Sequence, residues 1–149
     1  LYKTFTPALQ QALTQFTLSG GNVMVSGAYI GSDMMAPQEQ QFTADIFKYQ
    51  LTGVQPNDSI TTITGMNTEL TVYGRMNEMG YPVPRMDIIS PVEGAFPTMA
   101  YRPVGQSAAV AYQGNDYHSL AFGFPLESIT DAQVRRSIFY AAAQFLLNR

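Results

Sequence analysis

The run Gly27-Ala28-Tyr29-Ile30-Gly31 directly follows the apolar segment Asn22-Val23-Met24-Val25-Ser26. A glycine-bracketed nucleophile position at the end of a buried strand is the pattern of a nucleophile elbow, in which a sharp turn lifts one side chain above the sheet edge. Backbone N–H groups beside such a turn can cradle an oxyanion. The lifted side chain here is Tyr29, and phenols, which ordinarily titrate at about pH 10, are poor acyl-transfer nucleophiles at neutral pH. The sequence contains no cysteine to take that role elsewhere.

A second run, Phe122-Gly123-Phe124-Pro125-Leu126-Glu127, lies between a predicted strand and the last predicted helix and brings one carboxylate, Glu127, to the same end of the sheet. The single histidine, His118, with Ser26, Ser32 or Ser119 and a carboxylate, would supply the residue types of a hydrolytic triad. Tyr29, Tyr117, His118 and Arg102 would likewise supply the base and acid of a polysaccharide lyase. With nine tyrosines in the chain, such coincidences of type are cheap. Tyr81, Tyr101 and Tyr117 are also candidates for stacking on sugar rings, each offering an apolar face and a polar tip. One histidine without cysteine or a carboxylate cluster predicts neither a metal site nor a cofactor. Asp33 reads as a helix cap and Met34-Met35 as packing.

These residues need elements to hold them. Thr6-Pro7 predicts a helix start, with Leu9, Ala12, Leu13 and Phe16 as its apolar face and Gly20-Gly21 as its end. The strand Asn22–Ser26 is apolar enough for burial on both faces, as in a parallel sheet. A second helix is expected from Pro37 to Gln50, with Phe42, Ile46 and Phe47 inward. Ser59–Thr64 and Glu69–Tyr73, punctuated by Gly65 and Gly74, predict an antiparallel excursion. The five prolines from Asn77 to Pro103 predict a long ordered loop. Ala108–Tyr112 and Ser119–Phe124 should pair across the turn Gln113-Gly114-Asn115-Asp116. Thr130 and Gln133 form a capping box for a final helix whose core face is Val134, Ile138, Phe139, Ala142, Phe145 and Leu146.

Composition narrows the function classes. The 149 residues fit a single domain, 1–149, and only 13% are charged, so surface polarity comes from Gln, Asn, Ser and Thr. That surface is common in secreted proteins that meet other polymers. A net charge of −3 with scattered basic residues, apart from Arg135-Arg136, argues against nucleic acid as partner. No apolar run approaches the roughly 18 residues of a membrane span. The N-terminal Leu1-Tyr2-Lys3 has no signal-peptide layout, so an export signal is expected upstream of this chain.

Gly20-Gly21, the run Val25-Ser26-Gly27-Ala28-Tyr29-Ile30-Gly31-Ser32-Asp33, and Gly123-Phe124-Pro125-Leu126-Glu127-Ser128-Ile129 ahead of an Arg-containing helix together resemble the class I glutamine amidotransferase-like region of secreted multidomain bacterial proteins often labelled xanthan lyases. The resemblance implies an α/β, flavodoxin-like parallel sheet with an antiparallel β excursion, of which this chain is an incomplete C-terminal part lacking its N-terminal strands. In that alignment Tyr29 replaces the cysteine nucleophile and Phe124 the histidine of a His-Pro-Glu motif, with Glu127 one residue late.

The resulting expectation is a pseudoenzyme, a secreted or cell-surface domain that serves binding, assembly or support of glycan-active modules. Its partners would be polysaccharide or neighbouring domains of the same polypeptide. Any ligand would bind among Ser26, Gly27, Tyr29, Gly31, Ser32, Asp33, Phe124 and Glu127, at the carboxyl end of the strands. The alternative is a glycan-active lyase or hydrolase using Tyr29 or His118 with Glu127. A third possibility is a module that only packs against other domains, and it would expose a broad apolar patch.

Overall fold

The computed structural model describes residues 3–71 and 81–148. Helix α1 (Pro7–Leu18) starts as its sequence predicts, with the Thr6 hydroxyl accepting from the Leu9 N–H and proline in the first turn. Its predicted apolar face is buried only in part, with Leu13 packed against the core. Leu9 and Phe16 are exposed, and the buried helix residue is Thr17, whose hydroxyl donates back to the carbonyls of Leu13 and Thr14.

Strand β1 (Val23–Ser26) follows α1, and α2 (Pro37–Phe42) then runs into a π-helical turn at Thr43–Phe47. The helix expected to reach Gln50 therefore stops earlier. Lys48 takes the left-handed conformation (φ 60°), and Tyr49 opens β2 (Tyr49–Pro56). Phe42, Ile46 and Phe47 do face inward.

The sequence continues through β3 (Thr62–Gly65), β4 (Thr68–Thr71), β5 (Arg85–Pro91), β6 (Ala95–Arg102), β7 (Gln106–Gln113), β8 (His118–Phe122) and α3 (Ala132–Leu147). The end of the predicted Glu69–Tyr73 strand, the Gly74 punctuation and the start of the predicted Asn77–Pro103 loop lie outside the described residues. From Arg85 onward that loop is in fact two strands joined by a turn at residues 92–94, and Tyr81–Pro84 is irregular. Asp131, not Thr130, caps α3, its carboxylate accepting from the N–H groups of Gln133 and Val134.

Among the described residues six strands form one sheet in the order β1-β8-β7-β6-β3-β4, and β2 and β5 form a separate antiparallel ribbon. The expected flavodoxin-like parallel sheet is corrected here. The protein is mixed α/β, but in the sheet only β1 and β8 run parallel, and every other neighbouring pair is antiparallel. The predicted β7–β8 hairpin forms, with Gln113 opposite His118 and Ala109 opposite Phe122.

Burial on both faces arises from layering. Ala109, Ala111, Leu120 and Phe122 face a cluster containing Ile138 and Ala142 of α3, whereas Val110 and Ala121 face one containing Phe42, Ile46, Phe47 and Tyr49. The alternation is the period-two pattern of strands with a hydrophobic layer on each side. On α3, Ile138 and Ala142 are buried and Val134, Phe145 and Leu146 pack beside them, but Phe139 points outward.

Gly123 closes β8 and is fixed by proximity to the ribbon. Its N–H donates to the Ala108 carbonyl, and its own carbonyl accepts from the Asp87 N–H. A Cβ here would stand 2.4 Å from the Asp87 carbonyl oxygen, so only glycine lets β5 approach this closely.

Candidate ligand cleft at the turn after β1

The chain leaves β1 through residues 28–33, a turn tied by Asp33 N–H to the Tyr29 carbonyl (3.1 Å) and Met34 N–H to the Gly31 carbonyl (3.0 Å). Ile30 and Met34 point down into the core, which leaves Tyr29 on the outside, 40% exposed. The strained elbow of a nucleophile is not formed. The non-glycine residues at positive φ among those described are Lys48, Met66 and Asn67, and neither Gly27 nor Gly31 has positive φ. The two glycines instead make room. A Cβ at Gly27 would meet Ile30 at 2.9 Å, and one at Gly31 would meet Leu51 at 3.0 Å.

Two buried side chains fix the turn from below. The Tyr49 hydroxyl donates to the Ile30 carbonyl (2.8 Å), and Oδ2 of Asp87 accepts from the N–H groups of Gly31 (2.8 Å) and Ser32 (2.7 Å). The Tyr101 hydroxyl in turn donates to the Asp87 carbonyl (2.7 Å). Asp87 is wholly buried and its Oδ1 has no partner. Burial raises its pKa above the ordinary 3.8, against the lowering effect of hydrogen bonds from Ser32 and Gly31. Burial likewise pushes the Tyr49 and Tyr101 phenols well above 10, with the nearby Asp87 carboxylate adding to the effect. These groups act as buried hydrogen-bonding props for the turn.

Above the turn lies an open cleft of about 530 Å³, lined by Ser26 to Ile30, Ser32 and Asp33 together with Lys3, Thr4 and Arg85. Its volume is within the range of small-molecule sites, about 300–1,000 Å³. Of the expected ligand residues, Ser26, Gly27, Tyr29, Ser32 and Asp33 line it. Gly31 is buried beneath, with its N–H given to Asp87. Phe124 is fully buried and packs its ring against Phe122 at 5.8 Å, so it belongs to the core and not to the cleft. Asp33 caps no helix. Its Oδ2 accepts from the Thr4 N–H (2.7 Å) and hydroxyl (2.5 Å), while Lys3 donates to its carbonyl (2.6 Å) and pairs with Glu39 (3.0 Å).

Glu127 is exposed and accepts a hydrogen bond of 2.6 Å from the Tyr81 hydroxyl. Partial burial, followed by this bond and the Glu127 charge, raises the Tyr81 phenol to about 12, and Tyr29 lies close enough to add to the shift. His118 is elsewhere. It opens β8 at the opposite end from the cleft, about 13 Å of strand away, with its ring nitrogen 2.8 Å from the Phe145 carbonyl and its ring against Phe145. A triad of His118 with Tyr29 and Glu127 is therefore not assembled. Tyr101 is buried, and the Tyr117 hydroxyl donates to the carbonyls of Asp45 and Ile46, so neither offers a free stacking face at the cleft.

Sequence reasoning missed Lys3, Thr4, Arg85 and Asp87. The available signal was Asp87 within Met86-Asp87-Ile88-Ile89, since an acid inside an apolar run must be given hydrogen-bond donors. Among the described residues no group of three or more His, Asp or Glu is placed to hold a metal, and no helix is long and apolar enough to cross a membrane.

No protein-family model and no curated protein matches the sequence. Solved structures do share the fold. A β-galactosidase from Rahnella sp. R3 superposes with a TM-score of 0.59 at 14% identity, over 93% of this chain and 20% of that one. An exo-β-1,4-mannosidase from Opitutaceae bacterium strain TAV5 gives 0.58 at 14% identity, over 96% and 24%. A cytoplasmic protein from Salmonella typhimurium gives 0.60 at 10% identity, over 96% and 62%. The chain thus spans about a fifth to a quarter of the glycosidases it matches. The glycosidases among these structures, with no glutamine amidotransferase or xanthan lyase beside them, overturn the family resemblance drawn from the two motifs.

Proposed function

We propose that this chain is a non-catalytic module of a larger glycan-active protein, in which the cleft over Tyr29 binds a ligand without transforming it. The observation that carries this reading is the dispersal of the candidate catalytic groups. Tyr29 stands at the cleft, Glu127 is engaged by Tyr81, and His118 is buried at the far end of β8. Nucleophilic or general-base catalysis needs the reacting group and its activator within about 3 Å of each other. The recurrence of the fold as a minor part of a β-galactosidase and a mannosidase supports the glycan context and a supporting role. The low-charge composition, with polarity from Gln, Asn, Ser and Thr, supports a secreted or cell-surface location for the parent protein.

Incubating the chain with chromogenic glycosides, polysaccharides and glutamine tests the proposal. No turnover above the buffer rate is expected. Turnover that disappears in Tyr29→Phe or Glu127→Gln would establish the competing reading, an enzyme built on those two residues. The feature that favours it is the electrostatic influence of Tyr29 on Tyr81, the hydrogen-bond partner of Glu127.

A further inference from the structure

Three charged side chains line the cleft, and two of them are already engaged within the protein. Lys3 is paired with Glu39, and Asp33 is held by both donors of Thr4. Arg85 differs. Its contact with the described residues is the Tyr29 ring, and the guanidinium carbon stands 5.9 Å from the ring centroid. That distance is at the outer limit, about 6 Å, at which a cation over an aromatic face still gains. Arg85 opens β5, so its backbone is fixed by pairing with Pro56 while its side chain is exposed.

We infer that Arg85 and Tyr29 form a subsite for a sugar bearing one carboxylate, such as a uronic acid. The guanidinium would take the carboxylate through two parallel N–H donors, the geometry in which arginine binds such groups most strongly. The Tyr29 ring offers an apolar face to the sugar ring, and the Ser26 hydroxyl and Tyr29 hydroxyl offer partners to sugar hydroxyls. Charge selects the class. With Lys3 and Glu39 paired, Arg85 is the positive group left to face the ligand among the described residues, and Asp33 in the lining would repel a doubly charged phosphate more than a monoanion. A monoanion is the better match. The sugar component rests on the glycan-associated reading above, whereas the carboxylate component rests on Arg85 alone.

Titration of the ¹⁵N-labelled chain with galacturonate, its methyl ester, galactose and acetate, followed by amide shifts of Gly27, Tyr29 and Ser32, separates these components. Galacturonate should perturb these amides and bind at least tenfold more tightly than the neutral ester, galactose or acetate. Arg85→Ala should remove most of that preference and Arg85→Lys should restore part of it, with circular dichroism checking that both variants fold. Tyr29→Ala should weaken galacturonate while leaving its dependence on salt. Equal binding of galacturonate and its ester, or no loss in Arg85→Ala, would overturn the carboxylate assignment. Acetate binding as tightly as galacturonate would overturn the sugar assignment, and absence of any shift would overturn both. None of these outcomes alters the turnover assay, on which the non-catalytic reading stands or falls separately.

Discussion

Asp87 is the residue whose replacement most directly tests how the cleft is built. Asp87→Ala leaves the N–H groups of Gly31 and Ser32, now 2.8 and 2.7 Å from Oδ2, without their acceptor. An orphaned buried donor costs about 1–3 kcal/mol, so two give roughly 2–6 kcal/mol. Removing a carboxylate that burial already disfavours offsets part of this, and the net expectation is a loss of about 3 kcal/mol in unfolding free energy. Asp87→Asn keeps an acceptor oxygen and sheds the charge, so it should stay within about 1 kcal/mol of the parent.

The pH dependence has a definite sign. The folded pKa of Asp87 is raised above its ordinary 3.8, so the folded state holds the proton more tightly than the unfolded state. The associated stability is fully present below pH 3.8 and is lost as pH rises through the folded value. On acidification from neutral pH, the parent should therefore gain stability relative to Asp87→Asn, which has no such titration. Urea unfolding of the three proteins at several pH values measures both effects. If Asp87→Ala unfolds at the same urea concentration as the parent, the carboxylate does not anchor the turn, and if Asp87→Asn is as unstable as Asp87→Ala, a neutral acceptor oxygen cannot replace it.

Two further substitutions test other parts of the site. Gly123→Ala places a methyl 2.4 Å from the Asp87 carbonyl and should cost about 2–3 kcal/mol by thermal or urea unfolding, since backbone stands on both sides of the contact; a neutral result would mean that β5 yields easily. Glu127→Gln removes the charge beside the Tyr81 hydroxyl, so the Tyr81 titration, followed by its ring carbon resonance, should move from about 12 back toward 10, and an unmoved titration would leave desolvation as its whole cause.

What the sequence disclosed and what it hid follow from the range of the interactions concerned. The start of α1, the β7–β8 hairpin and the turn at Gly27–Gly31 are encoded by residues within a few positions of one another, and all three were legible. β5 and β6 were masked by their prolines. Pro91 ends β5, and Pro97 lies where the β6–β7 register slips, a place where a missing N–H is tolerated. The end of α2 was hidden because Lys48, an ordinary helix former, adopts a left-handed conformation that ends the helical stretch before β2.

Strand direction is legible only locally. The apolar strand at Asn22–Ser26 does pair in parallel with β8, but the rest of the sheet is antiparallel, buried by α3 on one side and the α2 region on the other. The cleft was half legible. Its local turn residues were found, but Arg85 and Asp87 reach it from a strand more than fifty positions away, and no local pattern records that meeting.

The parallel pairing of β1 with β8 has a consequence in time as well as in space. Asn22 meets His118 across 96 residues, whereas β7 and β8 are joined by a short turn. Closing so long a loop is entropically costly and slow compared with forming a hairpin. The turn that carries Tyr29 hangs from that late-forming contact, so the antiparallel strands can assemble before the cleft exists. Occupancy of the cleft would then favour only chains that have completed the last long-range closure, and a bound ligand would stabilise the finished fold over its partly assembled precursors.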